Sequence, residues 1–229
     1  MKRTKERTWK KDRKKNLYDT NSKFYIFTEG TKTEKNYFNG FKYYIEKNPR
    51  LKNMVIIVPC GKETLRILDD AIKYKTDNGI TNGEFWCVYD IDDNPAVNVN
   101  AVVQKCVSLN NKNKSGCRFF VAWSNECFEI WIILHFQYYT ANNHRSEYYK
   151  LLDKEFQNLG LSKYSKNTED IFDLLLKKGN PKLAIRYAKK LINRSKGKMP
   201  SEIALGTNMY ELVEKLIKYL PDELKDKFV

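Results

Sequence analysis

Three acidic side chains stand directly after apolar runs of the chain. Glu29 follows residues 23–28, and Asp90 and Asp92 follow residues 84–89. If these runs are neighbouring parallel strands, their carboxyl ends meet at one edge of a sheet, and the three carboxylates converge there. Like charges at close range repel, so such a cluster requires a cation. Carboxylate oxygens suit Mg²⁺ (or Mn²⁺), and the pattern therefore favours a divalent-metal site.

A structural role for the same acids stays open. Asp and Asn often follow strands as turn formers and helix N-caps, and Asp93 and Asn94 fit that role. Glu29 fits it less well, because glutamate is a poor turn residue and Gly30 beside it leaves room for a ligand. The stretch "EGTKT" lacks the first glycine of a nucleotide P-loop, which excludes that motif.

The elements that must position these acids alternate along the first part of the chain. Short runs rich in aromatic and β-branched residues predict strands at 23–28, 54–58, 84–89 and 118–123. Helical periodicity falls between them, and Thr31 and Glu34 have the spacing of a capping box that opens the first helix. Strands that are apolar on both faces and alternate with helices indicate an α/β fold with a mostly parallel sheet of about four strands and flanking helices.

The remainder of the chain shows helical periodicity and no convincing strand. Asn180 and Pro181 fit an N-cap followed by proline at the first helical position. We therefore divide the chain into a basic N-terminal arm (1–21), an α/β core (22–144) and a helical C-terminal region packed on that core (145–229).

The formal net charge of +14 is the strongest compositional feature. Residues 1–16 carry nine Lys/Arg against two acids, which is half of that net charge, and a second basic cluster lies between residues 177 and 198. A basic arm can neutralise phosphates, but it can equally be a solvated tail that aids solubility. The charge favours a polyanionic partner.

No apolar run approaches the roughly 18–20 residues of a membrane helix, and no apolar stretch follows the basic N-terminus as in a secretory signal. The five cysteines are dispersed, lack a C-x-x-C pair and have only two histidines beside them. They indicate reduced thiols rather than a zinc site. We expect a cytoplasmic protein without a membrane segment.

Further polar residues lie near the predicted strand ends. Glu129 in an apolar helix is either a buried acid paired with a lysine or an additional metal ligand, and we favour the ligand because burying an unpaired carboxylate is costly. Asn125 could orient a phosphate or a metal-bound water, and Lys32 and Lys35 could contact phosphate. His135 does not share a helix face with Glu129, so we interpret it as a core histidine.

Four blocks in order resemble a known family. They are "TEGTKTEKNYF" at 28–38, "DID" at 90–92, "SNECFEIWIILHF" at 124–136 and "GTNMYELVEKL" at 206–216. The glutamate after the first strand and the later D-x-D pair resemble the Toprim domain of topoisomerases, primases and OLD-type nucleases. The four blocks together resemble the RloB-like family, which includes the AbiLii abortive-infection proteins, over nearly the whole chain from about residue 22.

The resemblance implies a Toprim-like (Rossmann-like) core that carries out Mg²⁺-dependent phosphodiester chemistry. Glu29 would then be the general acid/base or a ligand in a two-metal site, and Asp90 and Asp92 would be metal ligands, with Glu129 nearby. The resemblance also implies a role in phage defence beside an ATPase partner, with RNA such as tRNA, or DNA, as the substrate.

Three functions remain open at this point. The first is a metal-dependent nuclease, and the presence of all three acids favours an enzyme over a non-catalytic protein. The second is a non-catalytic nucleic-acid or partner-binding subunit of a defence complex. The third is a primase-like nucleotidyl transferase that uses the same carboxylates. The sequence leaves the oligomeric state open, including a homo-oligomer.

Overall fold

The computed structural model describes residues 22–61, 64–91, 94–112 and 115–228. The five strands within these ranges are β1 (Phe24–Thr28), β2 (Val55–Pro59), β3 (Asn82–Asp90), β4 (Gly116–Asn125) and β5 (Gly206–Thr207). The α-helices there are α1 (Thr33–Glu46), α2 (Thr64–Asp77), α3 (Ala96–Lys112), α4 (Glu129–Ile133), α5 (Arg145–Asn158), α6 (Ile171–Lys178), α7 (Pro181–Arg194), α8 (Met209–Ile217) and α9 (Asp222–Lys225). The predicted N-terminal arm lies outside the described residues.

One sheet with the strand order β2-β1-β3-β4-β5 organises the molecule, and β1 to β4 are parallel. The predicted α/β class with a mostly parallel, Rossmann-like sheet is confirmed. The prediction of no strand in the C-terminal region was wrong, because Gly206 and Thr207 pair antiparallel with the end of β4. Two residues are too short for an alternating pattern, so this strand carries no sequence signal.

Alternating side chains divide the core between the two faces of the sheet. In β1, Phe24 and Ile26 belong to one buried cluster, and Tyr25 and Phe27 belong to the other. Helix α1 and the C-terminal helices cover the first face, while α2 and α3 cover the second. This double covering explains why the strands are apolar on both sides.

The strand order reverses at β1. The chain leaves β1 for β2 on one side, and β3 then returns to the opposite side of β1. At such a reversal the loops after the two central strands diverge and open a crevice at their carboxyl ends, where ligands of open α/β sheets bind. The residues that follow β1 and β3 therefore line the expected site.

Helices α5 to α8 pack on the same face as α1. Tyr148, Phe172 and Leu212 are buried in one cluster with Phe38 of α1. The predicted start of α7 is confirmed, because the Asn180 side chain accepts a hydrogen bond from the Leu183 N–H at 3.0 Å. Across the described segments, no helix combines the length and the apolar character that a membrane crossing requires.

Candidate functional site at the carboxyl ends of β1 and β3

Glu29 and Asp90 lie together at the point where the strand order reverses. Thr28 and Val88 are paired in the parallel ladder, and the Glu29 N–H donates to the Val88 carbonyl at 2.9 Å. The Glu29 Oε2 atom accepts a hydrogen bond from the Asp90 N–H at 3.3 Å. The two strands are therefore neighbours, and Glu29 directly after β1 and Asp90 at the end of β3 share one edge of the sheet, as the sequence predicts.

Glu34 is a third acid at this edge, and its predicted role in a capping box was wrong. Helix α1 begins at Thr33, and its N-cap residue Lys32 makes no side-chain capping bond. The Glu34 side chain instead turns back over Gly30, whose missing Cβ leaves the space that the carboxylate occupies. Glu34 is only 6% exposed. Backbone hydrogen bonds at Glu34 and Gly30 hold the carboxylate in this position.

Glu129 enters the same region from the start of α4 and is 1% exposed. Its Oε1 atom accepts a hydrogen bond from the Tyr164 hydroxyl at 2.8 Å and lies 3.8 Å from the Lys166 Nζ atom. The lysine pairing expected for a structural acid is therefore present. This pairing does not cancel the effect of Glu129 on the other acids, because its charge raises the pKa values of both Asp90 and Glu34.

We name Glu29, Glu34, Asp90 and Glu129 the acidic cluster. Burial raises the pKa of the Asp90 carboxyl well above its usual value, and the other three acids raise it further. Burial and the charge of Glu129 likewise raise the pKa of Glu34, against the lowering effect of its backbone hydrogen bonds. Negative charge in the cluster is thus incompletely compensated.

Lys166 is the basic residue whose charge lowers the pKa values of both Asp90 and Glu34. It lies in the loop between α5 and α6, where its carbonyl accepts a hydrogen bond from the Thr33 hydroxyl at 3.2 Å. Burial lowers the pKa of Lys166, but Glu129 and other neighbours outweigh burial and raise that pKa above its usual value. The loop thus places a stable positive charge beside the acidic cluster.

Sequence reasoning did not identify Glu34, Tyr164 or Lys166 as site residues. Glu34 had a signal, because it belongs to the "TEGTKTE" block that contains Glu29. Tyr164 and Lys166 had none, since their loop carries no motif and reaches the cluster only through the packing of α5 and α6.

The other predicted site residues have varied positions. Asp92 lies outside the described residues. The Asn125 amide donates to the Ile203 carbonyl at 2.5 Å, so its nitrogen is engaged within the protein. Lys32 is exposed and Lys35 half-buried, both directly beyond Glu29 at the start of α1.

The predicted core role of His135 is confirmed, because it is 2% exposed and burial lowers its pKa to about 4.

The side chains at this site can be compared with the ligands that a divalent metal ion requires. Glu29 and Asp90 supply hard oxygen ligands of the type that Mg²⁺ takes, in a cluster whose negative charge exceeds the local positive charge. In the part of the chain that the structure describes, no three His, Cys, Asp or Glu residues are arranged closely enough to hold a metal ion. The donor chemistry fits a metal, and Asp92 is the third ligand expected from the sequence.

The comparisons with known proteins agree with the resemblance seen in the motifs. A family model described as "RloB-like protein" matches residues 24–216, which include every member of the acidic cluster and Lys166. No curated protein and no solved structure gives a significant match to the chain.

Proposed function

We propose that this chain, which belongs to the RloB-like family, is a divalent-metal-dependent nuclease that hydrolyses phosphodiester bonds. The observation that carries the proposal is the contact between Glu29 and Asp90 at the reversal of strand order, with Glu34 and Glu129 beside them. A structural role would not require three acids to surround the Asp90 carboxyl at one edge of the sheet, because each repulsion lowers stability.

In this proposal Asp90 and Asp92 would hold Mg²⁺ or Mn²⁺, and Glu129 would complete the ligand set. A bound divalent ion would lower the pKa of a water molecule and neutralise charge on the phosphate. Glu29 accepts the proton of the attacking water as general base, and its hydrogen bond from the Asp90 N–H orients its carboxylate.

Three lysines have roles toward the substrate phosphates. Lys166 is held beside Glu129 and is about half exposed, so its ammonium can stabilise negative charge that develops on the reacting phosphate. Lys32 and Lys35, at the start of α1, contact flanking phosphates. Asn125 retains its amide oxygen as an acceptor for a water molecule or a ribose hydroxyl, since its nitrogen is engaged.

The biological role that we propose is phage defence, as an effector that acts on RNA such as tRNA, or on DNA, beside an ATPase partner. This part rests on the RloB-like resemblance. Phage plating on cells that express the chain, with and without a candidate ATPase partner, tests it. Protection that is lost with Asp90→Asn supports the role, and equal protection by that variant opposes it.

The experiment that tests the activity incubates the purified chain with panels of single-stranded RNA, tRNA, single-stranded DNA and duplex DNA. Each substrate is incubated with Mg²⁺, with Mn²⁺ and with chelator. We expect metal-dependent cleavage that Glu29→Gln and Asp90→Asn abolish. The matched control is Asp69→Asn, which neutralises an exposed acid paired with Lys105 and should cleave the substrates at the wild-type rate.

The products separate the proposal from its alternatives. Shortened products with new ends support hydrolysis, and extended products in the presence of nucleoside triphosphates identify a primase-like nucleotidyl transferase instead. Tight nucleic-acid binding with no product in any metal identifies a non-catalytic subunit. Cleavage that persists in chelator or in Asp90→Asn overturns the assignment of the acidic cluster.

A further inference from the structure

Helix α7 presents a row of basic residues that the proposed chemistry does not use. Lys182, Arg186, Lys190 and Arg194 follow one another at four-residue spacing, and all four are exposed. Four helical residues rise about 6 Å, so the row is roughly 18 Å long. We name these residues the α7 basic row.

The buried side of α7 determines which face of the helix is exposed to solvent. Ala184, Ile185, Ala188 and Leu191 are all buried in the core on the first face of the sheet. Because the helix cannot rotate without exposing these side chains, the α7 basic row has a defined position on the surface. The helix itself contains no acidic residue.

Within the described residues, no ion pair joins any member of the α7 basic row to a carboxylate. Lys189, which lies on the same helix but outside the row, differs because its Nζ atom lies 2.5 Å from the Glu214 Oε1 atom. The contacts that the row makes are with aromatic rings. Lys190 Nζ and Arg194 Cζ lie 4.5 Å and 5.3 Å from the centroid of the Tyr138 ring.

A second ring continues this surface. The Arg186 Cζ atom lies 5.4 Å from the centroid of the Tyr187 ring, and the Tyr138 and Tyr187 centroids are 5.1 Å apart. Both tyrosines are partly exposed. Cations without carboxylate partners, beside partly exposed aromatic rings, are a combination that proteins use to bind nucleic-acid strands without sequence preference.

The row leads to the edge of the sheet that carries the acidic cluster. At the start of α7, the Asn180 N–H donates to the His135 carbonyl at 2.8 Å, beyond the end of α4. At the other end, the Ile192 side chain lies against Gly206, and Gly206 pairs with Asn125 at the carboxyl end of β4. A strand bound along α7 would therefore run toward the site.

We propose that the α7 basic row binds the phosphate backbone of the nucleic acid on which the chain acts. Four cations along one helix, without a carboxylate partner among the described residues, suit a phosphate chain, which carries negative charge along its whole length. Because the contacts are to phosphate and to ring faces, they set affinity and register rather than base choice. The inference rests on the proposed function only in taking nucleic acid as the substrate.

The test uses a variant in which all four residues of the row are changed to Gln. The matched control changes Arg50, Lys52, Lys112 and Arg118 to Gln, which also removes two Lys and two Arg charges. These four are exposed and lie near the amino ends of β2 and β4, at the opposite edge of the sheet. Both sets are placed in full-length Asp90→Asn protein and studied in chelator, so that cleavage does not interfere.

Fluorescence anisotropy with labelled single-stranded RNA, single-stranded DNA and duplex DNA measures Kd at about 50 and about 200 mM salt. We expect the α7 variant to bind all of them at least about tenfold more weakly at the lower salt concentration than the control variant. Its slope of log Kd against log salt should be smaller by roughly 3, because four phosphate contacts are lost.

An equal loss of affinity in both variants would show a general charge effect and would overturn the inference. An unchanged salt slope of the α7 variant, or the absence of nucleic-acid binding by the parent protein, would also overturn it. Because binding is measured without metal, failure of the nuclease proposal does not alter these outcomes. Thermal melts check folding, and the pair Lys182→Gln and Arg186→Gln replaces the fourfold variant if that variant unfolds. The pair should reduce the salt slope by about half as much.

Discussion

Replacing Asp90 with asparagine should stabilise the metal-free protein. The Asp90 N–H donates to Glu29, and its carbonyl accepts from the Asn94 amide at 3.3 Å. Both are backbone groups, so Asp90→Asn retains these hydrogen bonds and the side-chain shape. What the substitution removes is a negative charge that three other acids oppose.

The magnitude follows from that charge balance. Burial and the charges of Glu34, Glu129 and Glu29 raise the pKa of Asp90 in the folded state, and Lys166 opposes them only in part. Relief of one unfavourable charge is worth about 1–2 kcal/mol of unfolding free energy. For a chain of this length, each kcal/mol shifts Tm by about 2–4 °C, so we expect Tm to rise by roughly 2–8 °C at about pH 7.

The pH dependence has a defined sign. Because the folded-state pKa of Asp90 is raised, the folded protein binds more protons than the unfolded chain between the two pKa values, and wild-type stability falls as pH rises through that range. Below about pH 3, the carboxyl is mostly protonated in both states and the advantage of Asp90→Asn disappears.

Thermal melts in chelator at several pH values provide the assay. Asp69→Asn is the control, because its exposed carboxylate is paired with Lys105, and it should lose no more than about 1 kcal/mol. Added Mg²⁺ should stabilise the wild type and not Asp90→Asn, by about 2.7 kcal/mol at a hundredfold excess over Kd. A lower Tm for Asp90→Asn in chelator would refute the reasoning and make Asp90 a structural residue.

Three further perturbations test other parts of the site. Gly30→Ala places a methyl group where the Glu34 carboxylate lies and displaces that carboxylate from its backbone hydrogen bonds, so the free energy of unfolding should fall by about 0.5–1.5 kcal/mol. In the Glu34→Ala background the same change should cost little in denaturant titrations, and additive losses would oppose the contact. Lys166→Gln removes the cation beside Glu129 and should lower the single-turnover cleavage rate at least about tenfold, which an unchanged rate would contradict. Deletion of residues 1–16 should weaken binding of every nucleic acid by a similar factor and reduce its salt slope, whereas an unchanged slope would identify a solubility tail.

The sequence by itself determined the architecture and the first two acids of the site. Strands β1 to β4 each carried a continuous apolar run because helices cover both faces of the sheet, and Asn180 with Pro181 marked the start of α7 through local chemistry. Glu29 and Asp90 were identifiable because a residue that follows a parallel strand is placed at the carboxyl edge whatever the rest of the fold does.

Only the tertiary structure decided how the site is completed. Glu34 had the spacing of a helix cap, and its actual position over Gly30 depends on where α1 begins. Lys166 reaches the cluster through a loop whose hydrogen bond to Thr33 spans 133 residues of sequence. Periodicity and capping report interactions between residues a few positions apart. Contacts of this length instead arise from the packing of whole helices, which no local pattern encodes.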